Sequence, residues 1–117
     1  HLLGEALTNL YVGLARFRRG EKLSAMRFIQ GYAVDRVIEL STIMSPPSNA
    51  TADLFDGPRR YEQRFPSLAA ALPDILQGYE RSPESAVALL ALLEAHFIVD
   101  PAMKAAILSL AGTESLQ

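Results

Sequence analysis

Two apolar stripes at helical spacing lie on either side of one glycine, and they limit the fold more than any other feature. Leu3, Leu7, Leu10, Leu14 and Phe17 follow at steps of 4, 3, 4 and 3 residues, which is one face of an α-helix. Met26, Ile29, Ala33, Val37, Leu40 and Met44 repeat the pattern at steps of 3, 4, 4, 3 and 4. Gly20 closes the first helix, with Arg16, Arg18 and Arg19 in the last turn, where cations suit the helix dipole. The second helix is expected from about Leu23 to Met44, where Pro46 and Pro47 prevent its continuation. So short a connection makes the two helices antiparallel neighbours. Gly4 and Gly13 weaken the first helix slightly, and they mark points where a neighbour could approach closely.

Helical signals continue downstream. Residues from Ser45 to about Gly57 read as an exposed loop, long enough to be mobile or to contact something. The run "DGPRRYEQRFP" predicts a short helix, capped by Asp56 or Gly57 with Pro58 in its first turn. "SLAAALPDILQGYE" predicts another, bent or restarted at Pro73. Ser82 before Pro83 and Glu84 starts "PESAVALLALLEAHFIV", which is apolar nearly all round and therefore belongs at the centre of a bundle. Asp100 before Pro101 starts a last helix ending at Gly112, after which "TESLQ" is expected to fray. No stretch alternates with period two over enough residues for a strand. The expected fold is all-α: a bundle of about five to six helices, two long antiparallel ones followed by shorter ones.

The 117 residues amount to one domain. Half are apolar and the formal net charge is -2. That balance gives no bulk attraction to nucleic acid or anionic lipid. With no cysteine, disulfides and thiolate metal sites are excluded, which fits a cytoplasmic location. The longest apolar run, "SAVALLALLEAHFIV", is broken by Glu94 and His96 and falls short of the roughly 18–20 residues that span a bilayer. The basic residues near the start follow the apolar part, the reverse of a signal peptide. A chain that opens with His1 inside a helical pattern is expected to be the C-terminal fragment of a longer two-domain protein.

Chemistry-bearing patterns are sparse. His1 and His96 are far apart, and His96, on an apolar helix, reads as a core or boundary residue rather than a ligand or base. Metal-binding helix motifs, phosphate loops, dinucleotide glycines and nucleophile elbows are absent. The Arg-to-His motif of small helical RNases is missing as well. Arg outnumbers Lys by nine to two, and the clusters "RFRRGEK" and "RRYEQR" are either solvated helix ends or phosphate-facing forks.

The polar face of the second helix is more informative. Phe28, Tyr32, Asp35 or Arg36, and Glu39 form one column at steps of three and four, and Arg27, Gly31 and Asp35 form another beside it. A solvated face usually carries Glu and Lys without Phe and Tyr. This face is therefore expected to be covered by another helix, a second domain or a second subunit. Asp35 and Glu39, carboxylates on neighbouring turns, could orient a hydroxyl or amine or act as a base. Salt bridges to Arg27 and Arg36 are the structural alternative.

The run "NLYVGLARFRRGEKLSAMRFIQGYAVDRVIELS" resembles the helical C-terminal domain of bacterial nucleotidyltransferases of the lincosamide and kanamycin types. "RGEKLSA" and "AVDRVIEL" carry the likeness, with a weaker echo in "LPDILQGYERSPESAVALLALLE". The resemblance implies an N-terminal catalytic domain, outside this chain, that holds Mg²⁺ and a nucleoside triphosphate through a Gly-Ser loop and a D-x-D pair. The five aspartates here never form D-x-D, so the chain alone is expected to be inactive. It also implies that Tyr32, Asp35, Arg36 and Glu39 line a small-molecule acceptor cleft or a homodimer interface. The competing reading is an effector-binding or protein-interaction module, such as the ligand-binding half of a bacterial regulator, with an apolar pocket inside the bundle.

Overall fold

A computed structural model describes residues 1–46 and 58–113. Among these the structure is all helix and turn, with no strand. The expected loop at 47–57, the Asp56 and Gly57 caps and the tail at 114–117 lie outside the described residues.

The first stripe forms α1, Leu2–Arg18, burying Ala6, Leu7, Leu10, Gly13 and Leu14. Gly20, at φ 82°, turns the chain, and the Gly20 and Glu21 amides donate to the Phe17 and Arg16 carbonyls that the helix end leaves free. The second stripe is not one uniform α-helix. It comprises α2, Lys22–Met26, a π-helical segment, Arg27–Ala33, and α3, Val34–Met44. The π segment explains a spacing that the sequence reading passed over. Ile29 and Val34 are both buried but five residues apart, a step that overshoots one α-turn by ~140°. Wider π turns absorb that surplus.

Two pairs of neighbours show the antiparallel arrangement. Gly13 of α1 lies against Ile29, and Glu5 reaches Arg36. A Cβ at position 13 would sit 2.6 Å from Ile29 Cγ1 and 3.1 Å from Phe28 Cβ. Gly13 is therefore a point where α1 has no room for a Cβ against the π segment.

Downstream come three single turns, α4, Tyr61–Arg64, α5, Pro66–Ala69, and α6, Leu72–Ile75. The restart at Pro73 occurs as expected, Pro73 falling in the first turn of α6. Pro58 does not start a helix. It opens a turn in which Arg60 takes a left-handed φ of 59° just before α4. Two long helices follow, α7, Ser82–His96, and α8, Pro101–Ala111. Ser82 begins α7, but its hydroxyl does not cap the helix; it accepts from Gln30 instead. Asp100 caps α8 by accepting from the Met103 amide at 3.0 Å. The α7 helix packs on α1, α3, the π segment, α6 and α8, the central place its composition predicted. Leu10, Leu14, Ile29, Leu89, Leu90, Leu93 and Ile107 are fully buried there.

A second, smaller cluster joins Tyr61, Phe65 and Leu68 to Ile38, Met44, Leu72 and Leu92. Ser41 Oγ donates to the Val37 carbonyl at 2.8 Å. The Tyr61 hydroxyl, 2.7 Å from Ser41 Oγ, is then the donor of that contact. Burial pushes the Tyr61 phenol above its usual pKa.

Two outcomes follow for stability. Gly13→Ala gains about 1 kcal/mol of helix propensity but overpacks the Ile29 contact at a cost of about 1–3 kcal/mol. The net effect expected is a Tm lower by several degrees. At alkaline pH the raised Tyr61 pKa means that the folded state holds its proton longer than the unfolded chain. Its stabilising contribution is intact below pH ~10 and is lost as pH rises through the folded value. Lys22, raised by its bond and attraction to Glu80, acts in the same direction. Denaturant melts from pH 8 to 11 should show a loss of stability that Tyr61→Phe reduces.

Candidate functional site

The antiparallel register sets the N-terminal half of α1 beside the start of α3, and an open groove runs between them. His1, Gly4, Glu5, Thr8, Asn9, Tyr32 and Arg36 line it, enclosing about 590 Å³. Two of the four expected site residues, Tyr32 and Arg36, are in this lining; Asp35 and Glu39 are not.

Arg36 organises the groove's charge. Its Nη1 lies 3.6 Å from Glu5 Oε1, and its Nε donates to the Glu39 carboxylate. A guanidinium held between two carboxylates is oriented and largely neutralised. Glu39 thus acts on the groove through Arg36. Asp35 is exposed, and neither it nor Arg27 has an ion pair among the described residues, so of the salt bridges weighed for this face Glu39–Arg36 forms and one between Asp35 and Arg27 does not.

The aromatic face separates into two halves. Phe28 meets the Tyr32 ring edge-on, 5.2 Å between centroids. Phe28 is also covered from within the chain by the Arg16 guanidinium, 5.2 Å from its centroid. Tyr32 remains 46% exposed. Among the described residues no other helix covers Tyr32.

Gln30 has a role that the polar set concealed. Its side-chain amide donates to the Gly78 carbonyl at 2.8 Å and to Ser82 Oγ at 3.0 Å. Its carbonyl accepts from the Gly78 amide at 2.8 Å. Gly78 has φ 102° and ψ −179°, a backbone region open to glycine almost alone. Gln30 therefore pins the turn before α7 to the π segment.

The first basic cluster is spent inside the fold. Arg16 donates to Ser24 at 2.7 Å, Arg19 pairs with Glu21 at 3.3 Å and Lys22 with Glu80 at 2.7 Å. Arg18 reaches the Ser109 carbonyl near the end of α8. That occupancy matches the solvated-end reading rather than a phosphate fork. His96 is exposed in the last turn of α7, not buried, and no group of three or more His, Asp or Glu among the described residues could hold a metal.

The groove residues from α1, Glu5, Thr8 and Asn9, were missed in the sequence. Antiparallel register alone could have found them, because closure at Gly20 sets Glu5 opposite Arg36. No family model, curated protein or solved structure matches the chain.

Removing Gln30 and removing Asp35 should differ. Gln30→Ala loses three hydrogen bonds, each worth ~1 kcal/mol net and less where water can replace it. A drop of about 1–2 kcal/mol is expected in urea melts. Asp35→Ala should stay within about 0.5 kcal/mol of wild type, as surface changes do.

Proposed function

We propose that the chain is an acceptor-binding and dimerisation domain that works beside the catalytic domain of a nucleotidyltransferase. The observation that carries this reading is the groove between α1 and α3, which brings Tyr32 and Arg36 together with Glu5, Thr8 and Asn9. Its size falls in the range of small-molecule sites. It offers a hydroxyl, an amide, a phenol and the Glu5–Arg36 carboxylate–guanidinium pair, a set that suits a small acceptor rich in hydroxyls and amines. The resemblance of "RGEKLSA" and "AVDRVIEL" to helical domains of such enzymes supports the same reading. Binding of the metal and the nucleoside triphosphate, and the transfer itself, are assigned to the catalytic domain. The half-exposed Tyr32 ring at the groove supplies an apolar contact for a second copy or for that domain.

The effector-module alternative requires an apolar pocket inside the bundle. The centre is filled by Leu10, Leu14, Leu89 and Leu93, all fully buried, which favours the surface groove over an interior one.

Titration of the chain with kanamycin and with lincomycin, followed by NMR, tests the reading. Shifts are expected at Thr8, Asn9, Tyr32 and Arg36, and Arg36→Ala should weaken binding about tenfold, the equivalent of ~1.4 kcal/mol. If neither compound moves a groove resonance, the acceptor reading fails.

A further inference from the structure

The π segment sets two buried residues, Ile29 and Val34, one residue further apart than an α-helical turn allows. Buried positions run Ala25, Ile29, Val34, Val37 and Ser41, with Ala33 buried beside Val34 and Leu40 beside Ser41. The only five-residue step in that series is from Ile29 to Val34. With one residue removed between them, the steps become three or four throughout, as in a continuous α-helix. Gly31 is the natural surplus, because among the described residues nothing lies within 4 Å of where its Cβ would be. A π turn is an uncommon conformation that recurs at functional sites, and it persists where surrounding contacts hold it.

Tyr32 shows what the extra residue changes. In an unbroken α-helix lacking Gly31, Ile29 and Val34 would stand one turn apart and Tyr32 midway between them. Two residues from each is ~200° round the helix, directly away from the core. In the π turn, each residue advances by less than the α-helical angle, and Tyr32 comes round towards α1. There it lines the groove with Thr8 and Asn9 and meets the edge of Phe28. The Gln30 bonds to Gly78 and Ser82 anchor the middle of the segment while this happens.

We infer that the π turn is a positioning device, its one surplus residue swinging Tyr32 off the outer face of the helix and into the groove. What Tyr32 does there rests on the binding role proposed above; where Tyr32 stands does not. Tyr32 is a positioned residue and Gly31 the residue that acts through it.

The test is deletion of Gly31 in protein labelled with 3-fluorotyrosine. The four tyrosines, Tyr11, Tyr32, Tyr61 and Tyr79, are assigned in ¹⁹F spectra by single Tyr→Phe changes. A soluble nitroxide then reports their exposure. The deletion variant should keep its helicity and melt cooperatively. Its Tyr32 signal should move and its nitroxide relaxation rise about twofold, from a ring now 46% exposed to one facing water, with the other three unchanged. A variant that no longer melts cooperatively would overturn the inference, because the core would then need the residue. So would a folded variant whose Tyr32 signal and exposure match wild type. Silence of the wild type towards kanamycin bears on the acceptor reading alone, since Tyr32 is located without a ligand.

Discussion

The contact of Gly13 with Ile29 is the constraint from which the rest of the structure follows. Only a glycine lets the backbone of α1 come this close to the π segment, with the Ile29 side chain occupying the space where a Cβ would be. That approach fixes the register of the first two long elements. It brings Leu10, Leu14 and Ile29 into one core and sets Glu5 opposite Arg36 at the surface. The hydrophobic seam and the groove are two edges of one helix pair, and neither can shift without the other.

Charge is distributed in keeping with that geometry. The arginines at the end of α1 stay local or brace α8, where Arg18 meets carbonyls of the last turn. Arg36 is the exception in consequence though not in chemistry. It is paired as the others are, but its partners Glu5 and Glu39 come from two elements, and the pair with Glu5 lines a concave surface. A paired guanidinium in a groove keeps its planar donors oriented, whereas the same pair on a convex helix end is only solvated charge.

Much of the fold was legible in the sequence because it rests on periodicity and caps. The stripe from Leu3 to Phe17, the stop at Gly20, the Asp100–Pro101 start and the central place of α7 are all local signals that tertiary packing reinforced. What was not legible depended on hydrogen bonds between distant segments. Ser82 has the look of a helix cap, yet its hydroxyl is taken by Gln30, 52 residues away. The π turn was hidden because Ala33 gives an acceptable α-helical step from Ile29, and only the burial of Val34 beside it shows the longer one. Of the site, Tyr32 and Arg36 followed from one helix face. Asp35 shares that face by spacing, but the groove lies to one side of it, a distinction that needs the position of α1.

The Gln30–Gly78 contact also has a meaning for how such a sequence can vary. One side-chain amide satisfies both backbone groups of a residue whose conformation already excludes most side chains. Position 78 is therefore closed to change for its own reasons, and the freedom to vary passes to positions 30 and 82. Among descendants of this sequence those two should change together, a glutamine exchanged only along with the hydroxyl it touches. Covariation between an apparent surface residue and an apparent helix cap would then be the evolutionary trace of a tie that neither position betrays alone.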